Sequence, residues 1–86
     1  NQSLITPREV YLEAMHNHAA YIILLHNHPS GDATPSQEDV AITTRMAQAG
    51  SLLGIPLMDH IILGNQCYYS FCEHHAFTDE ETPDGT

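Results

Sequence analysis

The apolar positions of this chain change period several times, and each change predicts an element. Tyr11, Ala14, Met15 and His18 recur at i, i+3, i+4 and i+7, the spacing of one helix face. Ahead of them, Thr6-Pro7-Arg8-Glu9 is a helix start. Thr6 can cap, Pro7 suits the first helical position, and Glu9 can close a capping box. Tyr21 to Leu25 (YIILL) is instead a continuous apolar run, short and partly β-branched, which predicts a fully buried strand ending at His26. Pro29 to Pro35 is a loop, with Ser-Gly and Asp between its prolines. Ser36 opens a second helix, with Gln37, Glu38 and Asp39 in the first turn, where negative charge is favoured. Ile42, Met46, Ala49 and Leu53 give that helix an apolar stripe, and Gly50 and Gly54 mark where it weakens and stops. Ile55 to Leu63 predicts a second strand, interrupted by the polar pair Asp59-His60. Gly64-Asn65-Gln66 is a turn, and Cys67 to Cys72 a third strand. Met46 and Met58 are expected in the core.

The order helix, strand, helix, strand, strand shows no internal repeat. It predicts an α/β fold, a small α-β sandwich with helices against a mixed sheet. Residues 1–77 read as one domain. Residues 78–86 read as a disordered acidic tail, because Asp79, Glu80, Glu81 and Asp84 stand there with Pro83 and Gly85 and no large apolar residue.

Size and charge narrow the function classes. A chain of 86 residues buries only about 60% of its unfolded surface, so its core is marginal without help. Its formal net charge is -9, with Arg8 and Arg45 as the only Lys or Arg side chains. Such a surface repels phosphate backbones, so DNA or RNA binding by this chain alone is not expected. Cys67 and Cys72 do not form CxxC and fall on opposite faces of the predicted strand. They read as buried free thiols of a reducing cytoplasm. No apolar run approaches the length of a membrane span or a secretory signal, so the expected location is cytoplasmic. The chain opens at Asn1 without a starting Met and reads as a fragment.

Candidate chemistry concentrates in HNHPSGDATPSQED, His26 to Asp39. At the end of an extended run, His26 and His28 point the same way and place two imidazoles close together. Alone this is a weak signal, since most such pairs are ordinary loop histidines. Asp39 strengthens it. It heads the stripe Asp39, Ile42, Met46, Ala49 and Leu53, so it is expected to point inward, where a carboxylate needs a partner. A cation shared with the two histidines meets that need. A capping box with Ser36 (S-x-x-D) meets it as well, and the spacing leaves both open. Two histidines and one aspartate leave a fourth tetrahedral position for water, the pattern of catalytic rather than structural zinc. Other zinc and nucleophile layouts are missing: there is no HExxH, no H-x-E with P-C-x-x-C, and no GxSxG.

His26-x-His28-Pro29, followed after six residues by Ser36-x-x-Asp39, resembles the JAMM signature of MPN-type metalloproteases. The longer string LLHNHPSGDATPSQED, with TPRE before it and LLGIPLMDHIILG after it, resembles the bacterial RadC family from about Asn1 to about Glu73. The resemblance implies a JAMM/MPN (cytidine-deaminase-like) α/β sandwich, with its N-terminal strands missing from this chain. It implies Zn2+ held by His26, His28 and Asp39, and a catalytic role for Ser36 at the metal-bound water or the oxyanion. The substrates it implies carry peptide or isopeptide bonds. It also implies a glutamate general base on a strand before the first helix. Glu9 and Glu13 are the only acids before His26; Glu9 reads as a capping residue and Glu13 as solvent-facing. Absent strands would leave a sheet edge open to homodimerisation. RadC proteins carry a DNA-repair label that this site chemistry does not support. The pair His74-His75 departs from the family's ending and reads as exposed.

The remaining polar residues have plainer readings. Asp59 and His60 read as a buried polar pair satisfied by neighbouring backbone, with support of a metal ligand as the functional alternative. Asp32 is expected to form an Asx turn. His16 and His18 form a second His-x-His, but on a helix that spacing turns them about 200° apart. Three functions follow: a zinc-dependent hydrolase domain, a non-catalytic metal-binding protein-interaction module, or a DNA-repair accessory protein, which the charge opposes.

Overall fold

Five elements form among residues 5–74, the residues that this computed structural model describes. Helix α1 (Pro7–His16) starts where Thr6 caps it, its Oγ accepting from the Glu9 N–H at 3.2 Å. Strand β1 (Ile22–Asn27) follows, then helix α2 (Gln37–Leu53), strand β2 (Leu57–Leu63) and strand β3 (Tyr68–Ser70). The sheet order is β1-β2-β3. β2 and β3 are antiparallel, Ile61 opposite Ser70 and Leu63 opposite Tyr68. β1 runs parallel to β2, since Ile22 donates to the Pro56 carbonyl and His28, six residues on, to that of Leu63. The fold is therefore the α/β class with a three-stranded mixed sheet. No helix among the described residues is long and apolar enough to cross a membrane.

The chain divides into two compact units. One comprises Asn1–Ile22 and Ser36–Leu57, so far as these are described, and holds both helices. Its centre is Tyr11, buried on α1, whose hydroxyl donates to the Met46 carbonyl of α2 at 3.1 Å. Gly50 makes this approach possible, because a Cβ there would collide with the Tyr11 hydroxyl and the Ile55 carbonyl. Gly54 closes α2 in the left-handed region (φ 76), a conformation glycine adopts without a Cβ penalty.

The second unit comprises Ile23–Pro35 and Met58–Thr86, again so far as described, and holds most of the sheet. Ala33, Ile62 and Phe71 form its buried cluster, with Tyr69 packed against them. Asp59 ties β2 to β3: its carboxylate accepts from Ser70 Oγ at 2.6 Å, from the Cys72 N–H at 2.9 Å and from the His60 N–H at 2.7 Å. The expected backbone satisfaction is thus seen for the Asp59 carboxylate, with one serine added, while Asp59 is half-buried and His60 buried.

Several expectations need correction. The YIILL run is not buried on both faces. β1 is an edge strand, and Tyr21, Ile23 and Leu25 on one side of it are exposed. The buried stripe of α2 is Asp39, Thr43, Met46 and Gly50, rotated from the predicted one; Ile42 and Ala49 are half-buried and Leu53 is exposed. Close packing selected small residues where hydrophobicity alone selected large ones. Thr43 tolerates burial because its hydroxyl donates to the Asp39 carbonyl at 2.6 Å. His18 lies beyond α1 with φ 57, Met15 and Met58 are exposed, and Gly50 sits inside α2 instead of weakening it. Cys67 and Cys72 are free, as expected, but exposed and outside β3. The tail 78–86 lies outside the described residues.

The Gly50–Tyr11 approach predicts that Gly50→Ala destabilises the chain by about 1–3 kcal/mol through overpacking. This loss exceeds the ~1 kcal/mol that alanine gains in helix propensity. Urea unfolding followed by circular dichroism measures it, and a stabilised variant would show that the contact yields. Burial also holds the Tyr11 hydroxyl above its ordinary pKa of 10.0. The fold favours the neutral phenol, so this contribution is full below pH ~10 and is lost as pH rises through the raised folded value. Tyr11→Phe, about 1 kcal/mol less stable near neutrality, is therefore expected to lose less stability than the parent between pH 9 and 11.

Candidate metal centre

β1 carries the first histidine and aims the second. Ile22, Leu24, His26 and His28 alternate with the exposed Tyr21, Ile23 and Leu25, so both imidazoles leave the same side of the strand. The His28 N–H to Leu63 carbonyl bond, at 2.9 Å, keeps the backbone in register one residue beyond the strand. The two rings meet edge to face, with centroids 4.8 Å apart and planes at 88°.

The loop after His28 fixes its ring. Gly31 (φ 89) turns the chain, its N–H donating to the His28 carbonyl at 3.0 Å. Asp32 makes the expected Asx turn, its Oδ1 accepting from the Thr34 N–H at 2.9 Å and the Thr34 hydroxyl at 2.7 Å. Those bonds hold its carboxyl below the usual carboxylate range, and the nearby His28 acts in the same direction. The Asp32 backbone carbonyl lies 2.9 Å from His28 Nδ1. A carbonyl only accepts, so Nδ1 carries the proton and Nε2 carries the lone pair. The turn after β2 pins the loop in turn, with Asn65 N–H donating to the Gly31 carbonyl at 2.7 Å and the Cys67 thiol to the same oxygen at 3.4 Å.

Asp39 fulfils the capping-box reading and leaves room for the other. It is buried, and its Oδ2 accepts from the Ser36 N–H at 2.7 Å while its own N–H donates to Ser36 Oγ at 3.1 Å, a complete capping box. A carboxylate offers two oxygens and about four lone-pair directions, so capping does not exhaust it. One ligand atom from each of His26, His28 and Asp39 lies within 4.8 Å of the others. Two imidazoles and a carboxylate at this spacing could hold a metal ion.

Other sequence candidates fall elsewhere. Glu9 and Glu13 are exposed on α1, and Glu13 accepts from the Asn17 side chain at 3.3 Å. His16 ends α1 and His18 follows in the turn. His74 is exposed but held, with Nδ1 2.9 Å from the Ser70 carbonyl and its ring stacked on Tyr69 at 4.0 Å between centroids. His75 lies outside the described residues. His60 is buried, and its ring stacks with those of His26 and Phe71. Only its place as a polar residue in an apolar strand hinted at this from the sequence. The Asp32 carbonyl left no hint, because backbone acceptors have no residue signature.

A family model described as a RadC-like JAB domain matches residues 1–76. A UPF0758 protein from Pelobacter propionicus is 56% identical over 73 residues, covering 85% of this chain and 32% of that protein. One from Shouchella clausii is 52% identical over 77 residues, covering 90% and 34%. One from Geotalea uraniireducens is 55% identical over 73 residues, covering 85% and 32%. The chain thus spans about a third of the length of these curated relatives.

The loop geometry predicts the tautomer of His28. Long-range proton–nitrogen NMR spectra of metal-free protein above the titration of its histidines should show His28 protonated at Nδ1, with Nε2 shifted as an unprotonated nitrogen. A dominant Nε2–H form would show that the Asp32 carbonyl does not set the ring.

Proposed function

The chain belongs to the RadC-like JAB domain family, and from that premise we propose that it is the metal-binding part of a zinc-dependent hydrolase acting on peptide or isopeptide bonds. The observation that carries this reading is the approach of His26, His28 and Asp39 to within 4.8 Å of one another. The donor set fits the ion. His28 presents a neutral Nε2, its other nitrogen is held by a backbone carbonyl as metal-binding histidines commonly are, and Asp39 brings negative charge. Zinc held there supplies a Lewis acid and makes water a competent nucleophile near pH ~7.

The chain's own residues have distinct tasks. His26, His28 and Asp39 hold the ion. The Asp32 carbonyl orients His28, and Thr34 and Ser30 hold Asp32 in place. Ser36 accepts the Asp39 N–H through its oxygen, which leaves its hydroxyl proton to donate to the developing oxyanion of a substrate carbonyl. Glu9 and Glu13 are exposed on α1, Glu13 accepting from the Asn17 side chain and Glu9 meeting Thr6 only through its backbone N–H, and neither belongs to the His26, His28 and Asp39 group, so in this reading neither serves as base. In this reading the glutamate implied by the JAMM resemblance comes from the remainder of the longer relatives' length. These 86 residues then bind zinc and turn over weakly, since general acid–base help is worth ~10²–10⁴-fold. A net charge of -9 with two basic side chains disfavours nucleic acid as substrate.

Asp39→Asn separates ligand from cap, because the amide oxygen can still accept from the Ser36 N–H. Zinc affinity is expected to fall at least ~10-fold while stability changes by less than ~1 kcal/mol. His28→Ala is expected to lose zinc similarly. Equal zinc content by elemental analysis in the parent and both variants would overturn the site. In a full-length relative with the same motif, the variant matching Ser36→Thr is expected to keep most peptide cleavage, and that matching Ser36→Ala to lose ~10²-fold. A full-length protein that holds zinc but cleaves no peptide or isopeptide substrate would favour a non-catalytic binding module.

A further inference from the structure

We propose that His60 is a positioning residue for His26, its buried ring setting the plane in which His26 meets the metal; this rests on the metal-site reading above. His26 is exposed, at the end of an edge strand, where an imidazole ordinarily samples several rotamers. His60 is 2% exposed, and its ring lies 17° from parallel to that of His26, with centroids 6.0 Å apart. Phe71 also stacks on the His60 ring, at 5.0 Å and 8°. Phe71 is 3% exposed within the Ala33–Ile62 cluster. The stack therefore runs from a rigid core outward to a metal-site ring, within the offset-stacking range.

The backbone under the stack is equally fixed. The Phe71 N–H donates to the His60 carbonyl at 3.0 Å, across the antiparallel β2–β3 pair. Asp59 adds its bonds to the His60 N–H, the Ser70 hydroxyl and the Cys72 N–H. The His60 ring thus has little freedom, and neither does the surface it offers to His26. A ligand already in its bound rotamer loses less side-chain entropy when the ion arrives. What matters in this account is a flat ring at position 60.

Cobalt(II) titration of the 86-residue chain tests this, read by binding affinity and by the visible d–d spectrum, which reports ligand geometry. His60→Phe keeps the flat face and is expected to bind cobalt within about threefold of the parent with an unchanged spectrum. His60→Leu fills the space without a ring and is expected to bind ~10-fold more weakly with an altered spectrum, in line with losses at residues that support metal ligands. Phe71→Leu, which removes the far ring, is expected to weaken binding in the same direction by less. Thermal melts of each metal-free variant accompany the titrations. Parent-like affinity and spectrum in His60→Leu would overturn the proposal, as would His60→Phe binding as weakly as His60→Leu while folded. If His60→Phe does not fold, an unchanged spectrum and affinity in Phe71→Leu would overturn it. A parent chain that binds no cobalt would instead fail the metal-site reading itself.

Discussion

A carboxylate withdrawn from water must be held by hydrogen bonds or by a cation, and in this chain that constraint falls on Asp39. Its side chain is 4% exposed. The helix start meets part of the need, through the Ser36 N–H and the positive end of the α2 dipole. The same bond settles the carboxylate's rotamer, so its direction is fixed by local helix chemistry before any ion is considered. The capping box and the ligand role are therefore not rivals. The cap makes a buried anion tolerable, and a buried anion of fixed direction is what a divalent cation binds most readily.

His28 is held by different means, but again by short-range polar contacts. His28 leans on the Asp32 carbonyl, Asp32 on Thr34, and Gly31 on Asn65 and Cys67. Ala33, buried in the Ile62–Phe71 cluster, anchors the same loop from within. A domain of this size has little core to hold a site rigid by packing alone. The His28–Asp32 and Asp32–Thr34 bonds close over only four and two residues, so they hold their part of it at low entropic cost.

How much of this was legible in the sequence depended on whether a feature was local. The caps at Thr6 and Ser36, the Gly54 stop and the Asx turn at Asp32 were all legible, because each is decided by residues within a few positions of one another. So was the set His26, His28 and Asp39, through strand period and helix phase. Burial was less legible. The α2 stripe was misplaced because Gly50 and Thr43 are buried for their smallness, and the Tyr11 that requires it lies 39 positions before Gly50. YIILL was read as doubly buried because sequence records hydrophobicity and not the strand's place at an edge. The His60 stack was missed because ring contacts across β1, β2 and the residue after β3 leave no periodic trace.

Under the proposed reading Asp39 is both cap and ligand, which couples the site to the fold. For a chain of 86 residues, a stability of roughly 0.05–0.15 kcal/mol per residue is typical. A native-state ligand at 100 times its Kd adds about 2.7 kcal/mol, a sizeable fraction of that total. Under the proposed reading, fraying of the first turn of α2 removes the Ser36 bond and misdirects the carboxylate in the same motion. Loss of the ion in turn removes the cation's share of the support for a buried anion. Metal occupancy and order at the N-terminus of α2 are then two descriptions of one equilibrium, and Ser36, at that same turn, inherits its geometry from both.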